Sequence, residues 1–158
     1  MRQSVTLHIS TEILAVIAKD ARDKYPEECC GVLLGTMCSD SVRQVLQVIP
    51  VKNTNEDHRE RMYLISSERI RDIEIHATQI GFEVLGFYHS HPDHKGEPSD
   101  FDRKAAWPWY SYIIVPVWAG KPSTIRSWRL ADDRSRFNEE QIIEDKNERN
   151  DLHPYSPS

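Results

Sequence analysis

The sequence predicts an α+β domain: a mixed β-sheet flanked by two substantial helices and one short one. Three observations carry this. Short runs rich in β-branched residues recur along the chain, two apolar stripes repeat at helical spacing, and Ser, Gly and Pro punctuate the boundaries between them.

The elements follow in order. Val5-Thr-Leu-His-Ile9 alternates and reads as a strand. Ser10 is placed to cap a helix whose stripe is Ile13, Leu14, Ile17, Ala18 and Ala21. Tyr25-Pro26 ends it, because a residue before proline is pushed out of helical backbone. Cys29 to Gly35 is a continuous apolar run, as in a strand buried on both faces. Val42 to Val51 is a further strand, and residues 52–61 are polar and loop-like. Met62 to Ile65 reads as a short strand. Ser66 or Ser67 then caps a second helix that turns Ile70, Ile73, Ala77 and Ile80 inward, with Gly81 at its end. Glu83 to His91 is a strand, Pro92 to Pro98 a loop, and Asp100 to about Ala106 a short helix. Ser111 to Val117 and Thr124 to Leu130 close the pattern. From Ala131 the apolar spacing decays, and a frayed helix or disordered tail is expected. The organisation is one folded domain over residues 1–131 and an acidic, flexible C-terminal tail over 132–158.

Bulk properties narrow the function classes. The chain has 158 residues, enough for one domain with a useful core, and 39% hydrophobic against 28% charged residues is an ordinary globular balance. No apolar run approaches the roughly 18 residues that cross a bilayer, and the N-terminus lacks a signal-peptide stretch, so a cytoplasmic protein with no membrane partner is expected. The net charge is -5, and residues 131–158 hold eight acids against four bases. Without a basic stripe, nucleic acid is not an expected partner. Three cysteines, Cys29, Cys30 and Cys38, make neither a disulfide framework nor a Cys-x-x-Cys metal site. Cys29 and Cys30 read as small hydrophobes in a strand.

The chemistry concentrates in His89-Ser-His-Pro92, followed after six residues by Ser99-Asp-Phe-Asp102. Residues two apart on a strand share a face, so His89 and His91 can bind one ion. Two neutral imidazoles, one carboxylate and an open position make a catalytic zinc site, and Asp102 can supply the carboxylate. The open position holds a water whose pKa zinc lowers to about 7, and a carboxylate general base suits it. Each piece also has a plain structural reading. A His-x-His pair can simply pack, and Ser99-x-x-Asp102 is a helix capping box. His58, His76 and His94 lack a partner pattern and are expected at the surface. Trp107-Pro-Trp-Tyr110 is either an aromatic ledge for substrate or core packing.

Taken together, His-Ser-His-Pro and Ser-x-x-Asp at this spacing resemble the JAMM motif of the MPN+ (JAB-domain) zinc metalloproteases, of the standalone prokaryotic type. The resemblance spans roughly residues 5–130. It implies an MPN/JAB-like architecture related to cytidine deaminases, although no Pro-Cys-x-x-Cys with a His-x-Glu marks a deaminase here. In that family a glutamate precedes a buried apolar strand, three residues before a glycine. Pro26-Glu-Glu-Cys-Cys-Gly-Val-Leu-Leu-Gly35 matches, and the register selects Glu28 over Glu27. The resemblance implies that His89, His91 and Asp102 hold Zn2+, that Glu28 is the catalytic acid/base, and that Ser99 stabilises the oxyanion.

The same resemblance implies a substrate. Such enzymes cut after the C-terminal Gly-Gly of ubiquitin-like β-grasp proteins, whose thin tails suit a narrow groove and can add as a strand to a sheet edge. The expected function is hydrolysis of the peptide or isopeptide bond after the Gly-Gly of a ubiquitin-like, sulfur-carrier type protein, with an E1-like or sulfur-transfer enzyme in the same pathway. The alternatives are a deconjugase in a bacterial conjugation or antiphage system, and a non-catalytic MPN scaffold. The intact ligand set counts against the scaffold.

Overall fold

In the computed structural model, which describes residues 5–146, the chain runs β1 (Thr6–Ser10), α1 (Thr11–Lys24), β2 (Cys30–Ser39), β3 (Val42–Val51), α2 (Ser67–Gln79), β4 (Glu83–Pro92), α3 (Asp100–Ala105), β5 (Ser111–Trp118), β6 (Lys121–Pro122), β7 (Arg126–Leu130) and β8 (Phe137–Asp145). The fold is α+β, as expected, with a mixed sheet. Its strands lie in the order β4-β2-β3-β1-β8-β7-β5-β6, and a further β4–β5 pairing closes it on itself. The β1–β3, β1–β8 and β4–β5 pairs are parallel and the rest antiparallel. Closure brings the β4 and β5 backbones together at Gly86, where a Cβ would lie 1.9 Å from the Ser111 carbonyl oxygen. Closure is not complete along every strand: β1 pairs with β3 only at residues 42–44, so among the described residues 45–51 are bonded through β2 alone and keep one open edge.

Local chemistry sets the helix starts. Ser10, Ser66 and Ser99 cap α1, α2 and α3 by accepting from the backbone N–H of Ile13, Arg69 and Asp102. Such a cap contributes about 1 kcal/mol. Gly81 follows α2 at φ +82, a left-handed position that glycine fills without strain. The two faces of β2 are both covered. Leu33 joins Leu7, Ile9, Val45, Leu85 and Ile113 beneath Ile17 and Ala21 of α1. Cys30, Val32 and Leu34 pack with Val51 and Val84 beneath Ile73 and Ala77 of α2. Cys29 and Cys30 are buried free thiols, and burial pushes both well up from the usual thiol range. None of the described helices is long and apolar enough to cross a membrane.

Two expectations are corrected. Residues 137–145 form neither a frayed helix nor a flexible tail. They are β8, which pairs over five residues with β1 and over four with β7. The strand was hidden because its inward position is Glu140, which is buried and accepts 2.7 Å from the Ser127 hydroxyl. The rest of the expected tail, 147–158, lies outside the described residues. Residues 62–65 are not a strand. In place of a ladder, Asn53 Nδ2 donates to Met62 O (3.0 Å), Leu64 N–H donates to Asn53 Oδ1 (3.1 Å), and a backbone bond runs from Thr54 N–H to Leu64 O (2.9 Å).

Candidate metal centre

His89 and His91 share one face of β4 near its C-terminal end, and both are buried. The capping box of α3 brings Asp102 to them. Asp102 N–H donates to Ser99 Oγ (3.0 Å), and Ser99 N–H donates to Asp102 Oδ2 (2.9 Å). The same Oδ2 lies 3.2 Å from His89 Nε2 and 3.1 Å from His91 Nε2, and the two nitrogens are 3.2 Å apart. The capping reading and the ligand reading of Ser99-x-x-Asp102 are therefore both true of one geometry.

This donor set fits a zinc ion. Donors about 2.0–2.1 Å from a tetrahedral centre sit about 3.3–3.4 Å from one another, close to the spacing here. The protons agree. His91 Nδ1 lies 2.7 Å from the Lys95 carbonyl oxygen, which only accepts, so Nδ1 carries a proton and Nε2 is the nitrogen turned toward Asp102 and His89. Burial alone would raise the Asp102 carboxyl, but the two imidazoles outweigh it and hold it well below the ordinary carboxylate range. His91 Nε2 and Asp102 Oδ2 thus converge on one point, where a cation would be held. Burial lowers the His89 pKa, partly offset by Asp102, which favours the neutral, ligating form.

Glu28 precedes β2 by two residues. Cys30 stands opposite His89, and Cys29 N–H donates to the hydroxyl of Ser90, the residue between the two histidines (2.8 Å). Glu28 is two residues from Cys30, so it approaches the same face as His89. It is 3% exposed, and burial, with the Asp102 charge second, pushes its carboxyl up to about 9. A buried acid with an elevated pKa beside a ligand cluster is the environment of a proton-transfer group. Glu27 differs: it is exposed and pairs with Arg59 (3.3 Å).

The other aromatic and histidine positions divide. His58 and His94 are exposed, with His94 edge-on to His91 at 5.7 Å between ring centroids, while His76 is half-buried. Trp107 is 65% exposed, whereas Trp109 lies against the buried Arg43 guanidinium, 4.1 Å from ring centroid to Cζ. No residue pattern pointed to Tyr63, whose ring stacks on His89 with centroids 4.4 Å apart. One aromatic residue in the short apolar run 62–65 carries no signal for a partner 26 residues on.

A mixed closed sheet carrying a buried His-His-Asp cluster is the structure of a JAMM-type zinc metallopeptidase. The profile of the prokaryotic homologs of the JAB domain matches residues 10–131, and the chain belongs to that family. It is similar to a desampylase of Haloferax volcanii, 34% identical over 114 residues that span 72% of this chain and 79% of that one. Two solution structures share the fold. A Salinibacter ruber protein is 37% identical with a TM-score of 0.69, over 92% of this chain and 96% of its own. A Desulfitobacterium hafniense protein is 26% identical with a TM-score of 0.78, over 89% and 94%.

Proposed function

We propose that this chain hydrolyses the peptide or isopeptide bond that follows the C-terminal Gly-Gly of a ubiquitin-like protein. The observation that carries the chemistry is the convergence of His89 Nε2, His91 Nε2 and Asp102 Oδ2 within hydrogen-bond distance of one another, beside a buried Glu28. These three residues are the zinc ligands. When bound there, zinc polarises the scissile carbonyl and lowers the pKa of a water to about 7. Glu28, which a bound cation would hold in its ionised form, takes a proton from the attacking water and returns it to the departing amine nitrogen, so the proton count balances across the cleavage. Ser99 accepts at Oγ from the Asp102 amide, which leaves its O–H to donate to the oxygen that gains negative charge.

The family and the likeness to a desampylase support a ubiquitin-like substrate. The desampylase, whose name denotes removal of a conjugated group, favours deconjugation as a second reading, in which the leaving amine belongs to a lysine side chain. The chemistry is the same in both. Glycine before the scissile bond fits a site whose acid/base is 3% exposed, because a chain without side chains brings its backbone closest. The test is mass spectrometry of a ubiquitin-like protein with residues or a lysine-linked peptide after its Gly-Gly, against the same protein with either glycine changed to valine. Cleavage after the second glycine, and much slower cleavage of the valine forms, is expected. Equal cleavage of both, or of unrelated unfolded peptides, would mean a general peptidase.

A further inference from the structure

Metal-binding histidines are usually held by a hydrogen bond to the ring nitrogen that does not face the metal. His91 follows this rule through Nδ1 and the Lys95 carbonyl. The carbonyl itself is held in place, because the buried Trp128 donates from Nε1 to the next carbonyl, that of Gly96 (3.1 Å). His89 does not follow it. Its Nδ1 is buried and has no hydrogen-bond partner among the described residues. What His89 has instead is the Tyr63 ring lying against its face, centroids 4.4 Å apart and planes 25° from parallel.

We propose that Tyr63 is the positioning residue for His89, setting by stacking the ring orientation that a hydrogen bond sets for His91. This rests on the zinc reading of the His89, His91 and Asp102 cluster. Tyr63 is itself fixed from both sides. Asn53 Nδ2 donates to the carbonyl of Met62, and Asn53 Oδ1 accepts from the N–H of Leu64, so the Tyr63 backbone is clamped at each neighbour. Asn53 Nδ2 also reaches the Glu28 carbonyl (3.2 Å). One side chain thus ties the segment that carries the stacking ring to the segment that carries the acid/base. An aromatic face against His89 restricts tilting of the imidazole plane, and in that plane Nε2 faces Asp102 (3.2 Å).

The measurement is zinc affinity, by equilibrium competition with a chelator, for purified wild type, Tyr63→Phe and Tyr63→Leu. The phenylalanine keeps the stacking face and loses the hydroxyl, and leucine keeps apolar bulk without a face. Tyr63→Phe should bind within about threefold of wild type. Tyr63→Leu should bind about 10–100-fold more weakly, the loss typical of an outer-shell partner. The absorption spectrum of the cobalt-substituted Tyr63→Leu protein should also depart from a tetrahedral pattern, which a merely structural role would not cause. Equal affinity in all three proteins would overturn the proposal. Equal weakening in Tyr63→Phe and Tyr63→Leu would also overturn it, since the hydroxyl and not the ring would then act. If Tyr63→Leu does not fold, NMR of the wild type decides. The His89 ring protons must be shifted upfield by the Tyr63 face with zinc bound, and an unshifted resonance would refute the stack. Absence of zinc from the wild type would instead refute the metal reading itself.

Discussion

In the metal-free protein, replacing Glu28 by Gln should change how stability depends on pH. Glu28 is 3% exposed, its Oε1 has no hydrogen-bond partner among the described residues, and burial holds its carboxyl at about 9 against 4.5 for a free glutamate. The sign follows from which state holds the proton. Between these two values the folded chain keeps a proton that the unfolded chain has released. The stability contribution of this group is therefore complete below the unfolded pKa, declines as pH rises, and is lost once pH passes the folded pKa. The slope is about 1.4 kcal/mol per pH unit, so three units, from about pH 4.5 to about pH 7.5, remove about 4 kcal/mol. Glutamine does not titrate. Relative to their difference at about pH 4.5, Glu28→Gln should thus gain about 4 kcal/mol over wild type by about pH 7.5. With a urea slope of about 2 kcal/mol per molar, that is a midpoint shift on the order of 2 M. The assay is urea unfolding of chelator-treated wild type and variant across this range, in which all other titrating groups cancel. Added zinc should shrink the difference, since a cation beside Glu28 favours its ionised form. Parallel curves for the two metal-free proteins would refute the burial argument.

Zinc-loaded Glu28→Gln should lose about 10²–10⁴-fold in turnover, while Glu27→Gln, at an exposed residue paired with Arg59, should stay near wild type; kinetics on one Gly-Gly substrate compares them. Ser99→Ala should lose about 1 kcal/mol of stability from the α3 cap and, separately, about 10²–10³-fold in kcat for an oxyanion donor; a loss of stability alone would leave Ser99 a cap and nothing more. Deleting residues 132–158 should abolish cooperative unfolding, because β1 and β7 both lose the strand between them. Deleting only 147–158 should preserve it, and circular dichroism during thermal unfolding separates the two.

The parts of this structure that were legible in the sequence are those decided within a few residues. Ser10, Ser66 and Ser99 announce helix starts because capping is a contact with the third residue on. His89, His91 and Asp102 are close in sequence, so strand alternation and one helical turn bring them together. The choice of Glu28 over Glu27 comes from the family resemblance, which places a glutamate three residues before Gly31, and not from any local pattern; in the structure Glu28 is buried and Glu27 exposed. Tertiary contacts defeated the pattern elsewhere. The barrel closes through the parallel β4–β5 and β1–β8 pairs, for which no local signal exists. In β8 a buried glutamate sits where an apolar residue was sought, and at Met62–Leu64 a side chain replaces the partner strand. Buried Arg43 donates from Nη1 to the Leu85 carbonyl (3.2 Å) and the Ser111 hydroxyl (3.0 Å), partners 42 and 68 residues away, while its Nε has no hydrogen-bond partner among the described residues.

The central claim, a zinc centre built by His89, His91 and Asp102, is tested most directly by elemental analysis of protein purified without chelator. Wild type should hold about one zinc per chain, the content of a single three-ligand catalytic site. The His89→Ala/His91→Ala double variant, folded by circular dichroism, should hold almost none. A wild type without stoichiometric metal, or a double variant whose zinc content is unchanged, would contradict the account.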